Sequence, residues 1–257
     1  MSATKPIGLM AGQPCMNVPL NQSSFCDHGE QMIPPARAFG STYVGVMYRP
    51  RAGNEINTFW RAIGMVDGTQ LTYSTQVGGP TALSKGQVVL FQTGTPFVVS
   101  SQDAAHPLML LEYMTGSGVV SAAGLGDPDV VVVMPPEQYL DHYLFFTDPL
   151  YPETDLVVIR KRAGDGTFHD VTLDCAGTLA GWQSVGNDFQ FVRVDLTTGN
   201  FQNVGNCSTG VREMHSDVPF GLWVWGWGSI VSTPMTRNVS YAYPAGTGVA
   251  PINALDF

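Results

Sequence analysis

Three kinds of residue group have the types and spacing to do chemistry: metal-ligating sets, paired carboxylates and aromatic faces. Asp27, His28 and Glu30 in CDHGE place an imidazole between two carboxylates, a set able to hold a divalent metal if the chain folds it to one side. The competing role for His28 is a structural one beside Cys26. Asp67-Gly68, Gly126-Asp127-Pro128-Asp129 and Asp165-Gly166 offer oxygen ligands for Ca2+, but they lack the alternating acids of a calcium loop. Turn formation accounts for Asp and Gly at those places without an ion. Glu112 and Glu137 are carboxylates of the kind a glycoside hydrolase positions in pairs, yet a chain with 21 acids offers such pairs freely. No GxSxG or HExxH motif is present, and no residue is assigned a catalytic role. His106, His142, His169 and His215 are isolated from one another and fall before or between strands.

The third group is aromatic. GLWVWGWG, residues 221–228, sets Trp223, Trp225 and Trp227 at every second position, which on a strand sends all three indoles to one face. Such a face either stacks on sugar rings or lies inside a sheet. A buried strand is the preferred reading, with Leu222 and Val224 on the opposite face and Gly226 admitting a close neighbour. Trp227, nearest the strand end, is the indole expected to reach the surface. With Tyr241 and Tyr243 of SYAYPAG it forms the expected ligand-binding set.

The elements that must position these residues are strands. Apolar residues come as alternations or short runs punctuated by Gly, Pro, Asn and Asp, and 29 Gly and 18 Pro are scattered through the 257 residues. The hydrophobic content of 44% is enough for real cores. The expected class is all-β. Residues 155–174 read as a β-hairpin around the turn AGDG.

Punctuation repeats at a spacing of about a hundred residues. Pro34-Pro35 and Pro135-Pro136 each precede an aromatic stretch, MVDGTQLTYS and AGDGTFHDVTLD each carry a DGT turn, and HPLMLLEYMTG and VPFGLWVWGWG each close on a Pro, an apolar strand and Gly. These landmarks predict two tandem β-sandwich units from an internal duplication, at residues 34–134 and 135–248. Residues 1–33 are an N-terminal strand and a connector carrying the Cys pair, and 249–257 a C-terminal tail. KPIGLMAG, residues 5–12, reads as a further copy of the closing strand, the last strand of a preceding unit.

A formal net charge of −9 with only 12 Lys and Arg leaves no basic stripe, so nucleic acid and anionic membrane surfaces are disfavoured partners. The apolar run 130–134 is far shorter than the roughly 20 residues of a spanning helix. The four cysteines follow no zinc spacing, and two local disulfides, Cys15–Cys26 and Cys175–Cys207, are the preferred pairing, implying an oxidising compartment. The alternative is four buried thiols.

An ordered set of motifs over about residues 8–248 resembles the N-terminal domain of the IgG Fc-binding protein family and its bacterial-type relatives. They are Gly12, Cys15, Asn17-Val18-Pro19, Cys26-Asp27-His28, Pro34-Pro35 and Phe39-Gly40, then GDPDVVVVMPPEQY, VPFGLWVWGWG and SYAYPAG. Trp stands where smaller aromatics are commoner, Met32-Ile33 replaces the more usual Leu, and the upstream part of the family domain is expected to be missing. The resemblance implies a non-enzymatic adhesion or recognition module in a larger multidomain protein, extracellular or on the cell surface, meeting a protein or glycan ligand through loops or a sheet face. It does not carry Fc binding with it. A carbohydrate-binding module and an extracellular glycoside hydrolase are the alternatives.

Overall fold

A computed structural model describes residues 4–5, 7–21, 26–120, 124–230, 232 and 235–255. The chain is all-β and antiparallel. Strands β1 (Met10–Met16) and β2 (Asp27–Met32) form a hairpin, stapled by the Cys15–Cys26 disulfide. A single helical turn, Ala36–Ala38, follows Pro34-Pro35. Next come β3 (Thr42–Gly45), β4 (Thr58–Gly64), β5 (Thr69–Tyr73), β6 (Ala82–Leu83), β7 (Val88–Thr93), β8 (Phe97–Ser101), β9 (Leu108–Met114) and β10 (Asp129–Val133). They make two four-stranded sheets, ordered β10-β9-β4-β7 and β3-β8-β5-β6. Trp60 of β4 meets Phe97 of β8 edge-on at 5.1 Å, so the sheets face each other across a core.

The second part opens on another helical turn, Pro136–Gln138, after Pro135. It continues with β11 (Leu140–Thr147), β12 (Glu153–Lys161), β13 (Val171–Leu173), β14 (Gly177–Thr178), β15 (Gln183–Val185), β16 (Phe189–Thr198), β17 (Gln202–Asn203), β18 (Gly210–Trp227) and β19 (Ser240–Pro244). These nine form one curled sheet. β18 is long enough to serve both of its walls: residues 210–220 pair with β11 and β13, and residues 220–227 pair with β12 and β19. The second disulfide, Cys175–Cys207, lies here. No helix among the described residues is long and apolar enough to cross a membrane.

The pairings of residues 42–133 recur in residues 140–244. β3-β8-β5-β6 matches β11, the first half of β18, β13 and β14, and β10-β9-β4-β7 matches β19, the second half of β18, β12 and β16. The anchoring bonds recur with them. The Tyr43 hydroxyl accepts from Gly40 N–H (3.0 Å) and donates to the Leu108 carbonyl (2.6 Å); the Tyr143 hydroxyl accepts from Leu140 N–H (3.0 Å) and donates to the Phe220 carbonyl (2.6 Å). Leu108 and Phe220 each follow the proline of a closing strand.

One local expectation is corrected. Residues 155–174 are not a hairpin, although AGDG is a tight turn in which Gly166 N–H bonds the Ala163 carbonyl. Both edges of β12 are taken by β16 and β18, so the chain leaving the turn crosses to the other wall and β13 pairs with β18 and β14. The turn at Asp67-Gly68 makes the same crossing between β4 and β5.

The tryptophan strand is buried, and its two faces serve different cores. Leu222 and Val224 join Leu156, Val158 and Phe220 inside the curled sheet. Trp223, Trp225 and Trp227 pack outward against the first part of the chain. Trp225 lies 4.8 Å from Tyr48, and the Trp223 indole N–H bonds the Val132 carbonyl at 3.1 Å. Trp227 is 1% exposed beneath the Arg49 guanidinium, 4.8 Å from its ring, which overturns its expected place at the surface. The strand does not end the covered region, because the segment after β3 continues over it.

A polar seam runs through this contact. Arg49 donates its backbone N–H to Asp155 Oδ2 (2.8 Å) and its guanidinium to Glu153 (2.7 Å), with Asp195 also beside it, while Arg193 bonds the Met47 carbonyl. Tyr48 N–H bonds Glu112, and the Tyr48 hydroxyl bonds Glu55, which pairs with Arg51. Burial pushes the Asp155 carboxyl up to about 7; the Asp195 charge adds to this, and Arg49 opposes it.

Two outcomes follow. Trp225→Ala, which empties a slot between the two parts, is expected to cost about 3–5 kcal/mol in urea unfolding. A carboxyl raised on folding favours the native state below its unfolded value and penalises it as pH climbs through the folded one. Asp155 therefore lowers stability between about pH 4 and pH 7, on the order of 4 kcal/mol in all, and leaves it flat above. Asp155→Asn should remove that share of the loss, flattening the stability profile measured by urea unfolding between about pH 4 and pH 7.

Candidate functional site

β2 carries alternate residues to opposite faces, and the sequence CDHGEQM is cut to that period. Gly29 and Gln31 are buried, whereas His28, Glu30 and Met32 are exposed. Gly29 lets β2 settle on β10, since a Cβ there would stand 3.2 Å from Val130. β10 in turn packs against β19, and a groove of about 900 Å3 opens beside these strands. Its walls are Met10, Met32, Pro34 and Pro35 on one side and Tyr151, Tyr241, Tyr243 and Pro244 on the other, with Asp27, His28, Glu30 and Asp129 along them.

The outer edge of β19 is closed by side chains rather than by a strand. Gln31 Nε2 donates to the Ala242 carbonyl (3.1 Å), and the Ala242 N–H bonds the Asp129 carboxylate, which also accepts from Val130 N–H at 2.7 Å. Burial raises Asp129 to about 8, and the nearby charge of Asp27 adds to the shift. Asp27 is itself raised by burial against the opposing pull of the His28 N–H and imidazole. No lysine or arginine lines the groove among the described residues. The site is an apolar, aromatic trough with Asp27 and Glu30 as the acids along its rim, the raised Asp129 carboxyl being mainly protonated at neutral pH.

Several expected site residues meet here. Tyr241 and Tyr243 stack at 6.3 Å, and Tyr151 packs edge-on against Tyr241 at 4.6 Å. Their hydroxyls are tied to the β11 end, Tyr241 accepting from Asp148 N–H and Tyr243 from Phe146 N–H, so the rings are held in fixed orientations. Gly226 allows this, because a Cβ there would overlap the Tyr241 ring. Trp227 is not part of the groove.

The metal triplet is divided by strand alternation. His28 and Glu30 lie together on the exposed face, 3.7 Å apart, and Asp27 has the opposite parity. Among the described residues no three His, Cys, Asp or Glu side chains gather in a metal-binding group. The calcium candidates are engaged by protein donors: Asp165 accepts from Thr167 N–H within its own turn, whereas Asp67 accepts from Lys85 N–H and Asp127 from Ser117 N–H, tying separate segments together. Glu112 faces the first core, whereas Glu137 is exposed on the Pro136–Gln138 turn, so the two belong to separate places. Three of the other histidines have acidic partners: His106 pairs with Asp103 and His169 with Asp165 nearby in the chain, and His142 with Glu213 across the β11–β18 ladder.

Gln31, Tyr151 and the hairpin methionines are groove residues that the sequence reading did not single out. Only the parity of β2 around Gly29 hints at the first.

A family model described as the IgGFc binding protein matches residues 1–226. No curated protein matches the chain. A solved structure titled anti-sigma factor domain-containing protein aligns over 92% of each chain at 10% identity and a TM-score of 0.21, a likeness too weak to carry an argument. With its family match spanning the first sandwich, the hairpin and most of the curled sheet, this chain belongs to the IgGFc-binding protein family.

Proposed function

We propose that the protein is a non-catalytic recognition module of an extracellular or cell-surface protein, and that the groove between the β1–β2 hairpin and β19 receives its partner. Family membership supports the class of function, and two disulfides support an oxidising location. The observation that carries the site is the groove itself, a concave apolar surface with fixed tyrosines and acidic side chains and, among the described residues, no Lys or Arg. Charge complementarity favours a protein partner presenting a basic side chain beside an apolar one. The recurring pairings and the matched Tyr43 and Tyr143 bonds support reading residues 34–134 and 135–248 as units of a tandem duplication. A sheet buried on both faces keeps the tryptophans out of any such contact.

Glu30→Lys and Met32→Glu change exposed groove residues and should leave the fold intact. Purified IgG Fc, a panel of extracellular proteins and a glycan array serve as probes. The expected result is a protein ligand whose affinity falls about 10-fold in either variant, in keeping with a contact of roughly 1.4 kcal/mol. Binding only to glycans moves the reading to a carbohydrate module. Protein binding indifferent to both changes removes the groove as the site.

A further inference from the structure

In each sandwich the closing strand has a neighbour on both sides. β9 lies between β10 and β4, and the second half of β18 lies between β19 and β12. β1 occupies the corresponding place before its own Pro-Pro turn, and β2 packs on β10 as β10 packs on β19. Yet β1 pairs with β2 alone among the described residues. The strand that would match β4 or β12 has no counterpart.

The open side is chemically ready for one. The Leu9 carbonyl accepts from Ile33 N–H, so ladder alternation turns the N–H and C=O of Met10 and Gly12 away from β2. β1 carries no charge, and Ile7, Leu9 and Met10 beside it are 58%, 39% and 57% exposed. Edge strands that stay uncovered are ordinarily charged or broken. Pro14 limits the free donors to the first part of the strand.

The adjoining sheet face has the same unfinished character. On the curled sheet the outward residues of β16, Phe189 and Phe191, are buried by the first sandwich. The strand in that position of the first sandwich is β7, whose outward Val88 and Leu90 are 53% and 42% exposed. The two faces are alike in topology, and one is covered.

We propose that β1 and the outward face of β9, β4 and β7 receive the remaining strands of a third unit of this same fold, with β1–β2 as its closing hairpin. The first contact is a β4-type strand added antiparallel to β1, by main-chain hydrogen bonds at Met10 and Gly12. This rests on reading the two sandwiches as copies; Met10 serves both sites, lining the groove with its side chain and offering its main chain to the added strand.

The test uses the intact chain and a fluorescent peptide of residues 155–162, DLVVIRKR, the segment that fills this place beside β18. A scrambled peptide of equal charge is the control. The expected result is saturable binding at least about 10-fold tighter than the scramble, with slowed amide exchange at Met10 and Gly12. Met10→Pro removes one outward N–H and spares the β1–β2 ladder, so it should abolish the binding while circular dichroism stays native. Equal affinity for both peptides, no saturable binding, or binding that survives Met10→Pro overturns the proposal. Groove variants Glu30→Lys and Met32→Glu report separately on the partner site, so failure of one reading is not failure of the other.

Discussion

Everything in this molecule depends on one sheet being buried from both sides. The wall made by β19, the second half of β18, β12 and β16 has Leu222, Val224, Leu156 and Val158 on its inner face and Trp223, Trp225, Phe189 and Phe191 on its outer face, all of them buried. A two-sided sheet has no polar face to turn to solvent, which is why the middle of β12 and the second half of β18 read as nearly continuous apolar runs instead of alternating ones. Their few charged residues then have to be matched across the contact. Asp155 and Asp195 meet Arg49, and Arg193 meets the Met47 carbonyl, so the seam that joins the two parts interleaves buried polar groups with aromatic ones. Such pairs add less net stability than their geometry implies, since each ion gives up its hydration. They fix where the parts sit, and the indoles hold them there.

Within each part the chain is registered by a single tyrosine. Tyr43 and Tyr143 reach across to the first carbonyl of the closing strand and receive the N–H that ends the proline turn, so one side chain ties the entry of the sandwich to its exit. Burial pushes the Tyr43 and Tyr143 hydroxyls upward in pKa, which keeps each a donor throughout the range in which the protein is folded. This explains why Pro-Pro, an aromatic residue and a later Pro-apolar strand travel together in the sequence. They are the ends of one hydrogen-bonded clasp.

The sequence made the class, the cysteine pairing and these landmarks legible, because each is set by local chemistry: turn residues, spacing and period. What it hid was tertiary. The 155–174 segment carries every hairpin signal, yet the same Asp-Gly turn serves a crossing between walls, and which of the two occurs is decided by distant β16 and β18. Trp227 is the last residue of its strand and looks like a surface group until the segment containing Arg49 is laid over it. Asp129 reads as a turn residue. Its place in the groove wall depends on β19, more than a hundred residues later, presenting Ala242 to it. Tyr241 and Tyr243 were visible as aromatics but not as a pair held by the β11 end.

The outward faces of the two parts differ in a way that tracks what covers them. The slots that hold Trp223 and Trp225 in β18 hold Leu111 and Tyr113 in β9, by the matching pairs of each strand with β12 and β4. Beside them Val157 is replaced by Arg61, whose guanidinium lies over the Tyr113 ring at 4.9 Å. A full sandwich seals the first of these faces, and a narrow hairpin only partly covers the second. Large indoles gain most where water is wholly excluded, whereas an arginine stacked on tyrosine keeps a wet margin tolerable and still presents a flat, apolar stem. The face of β9 and β4 is thus built for a partner that leaves its edge hydrated, and the bare Val88 and Leu90 mark how far that partner extends beyond the hairpin.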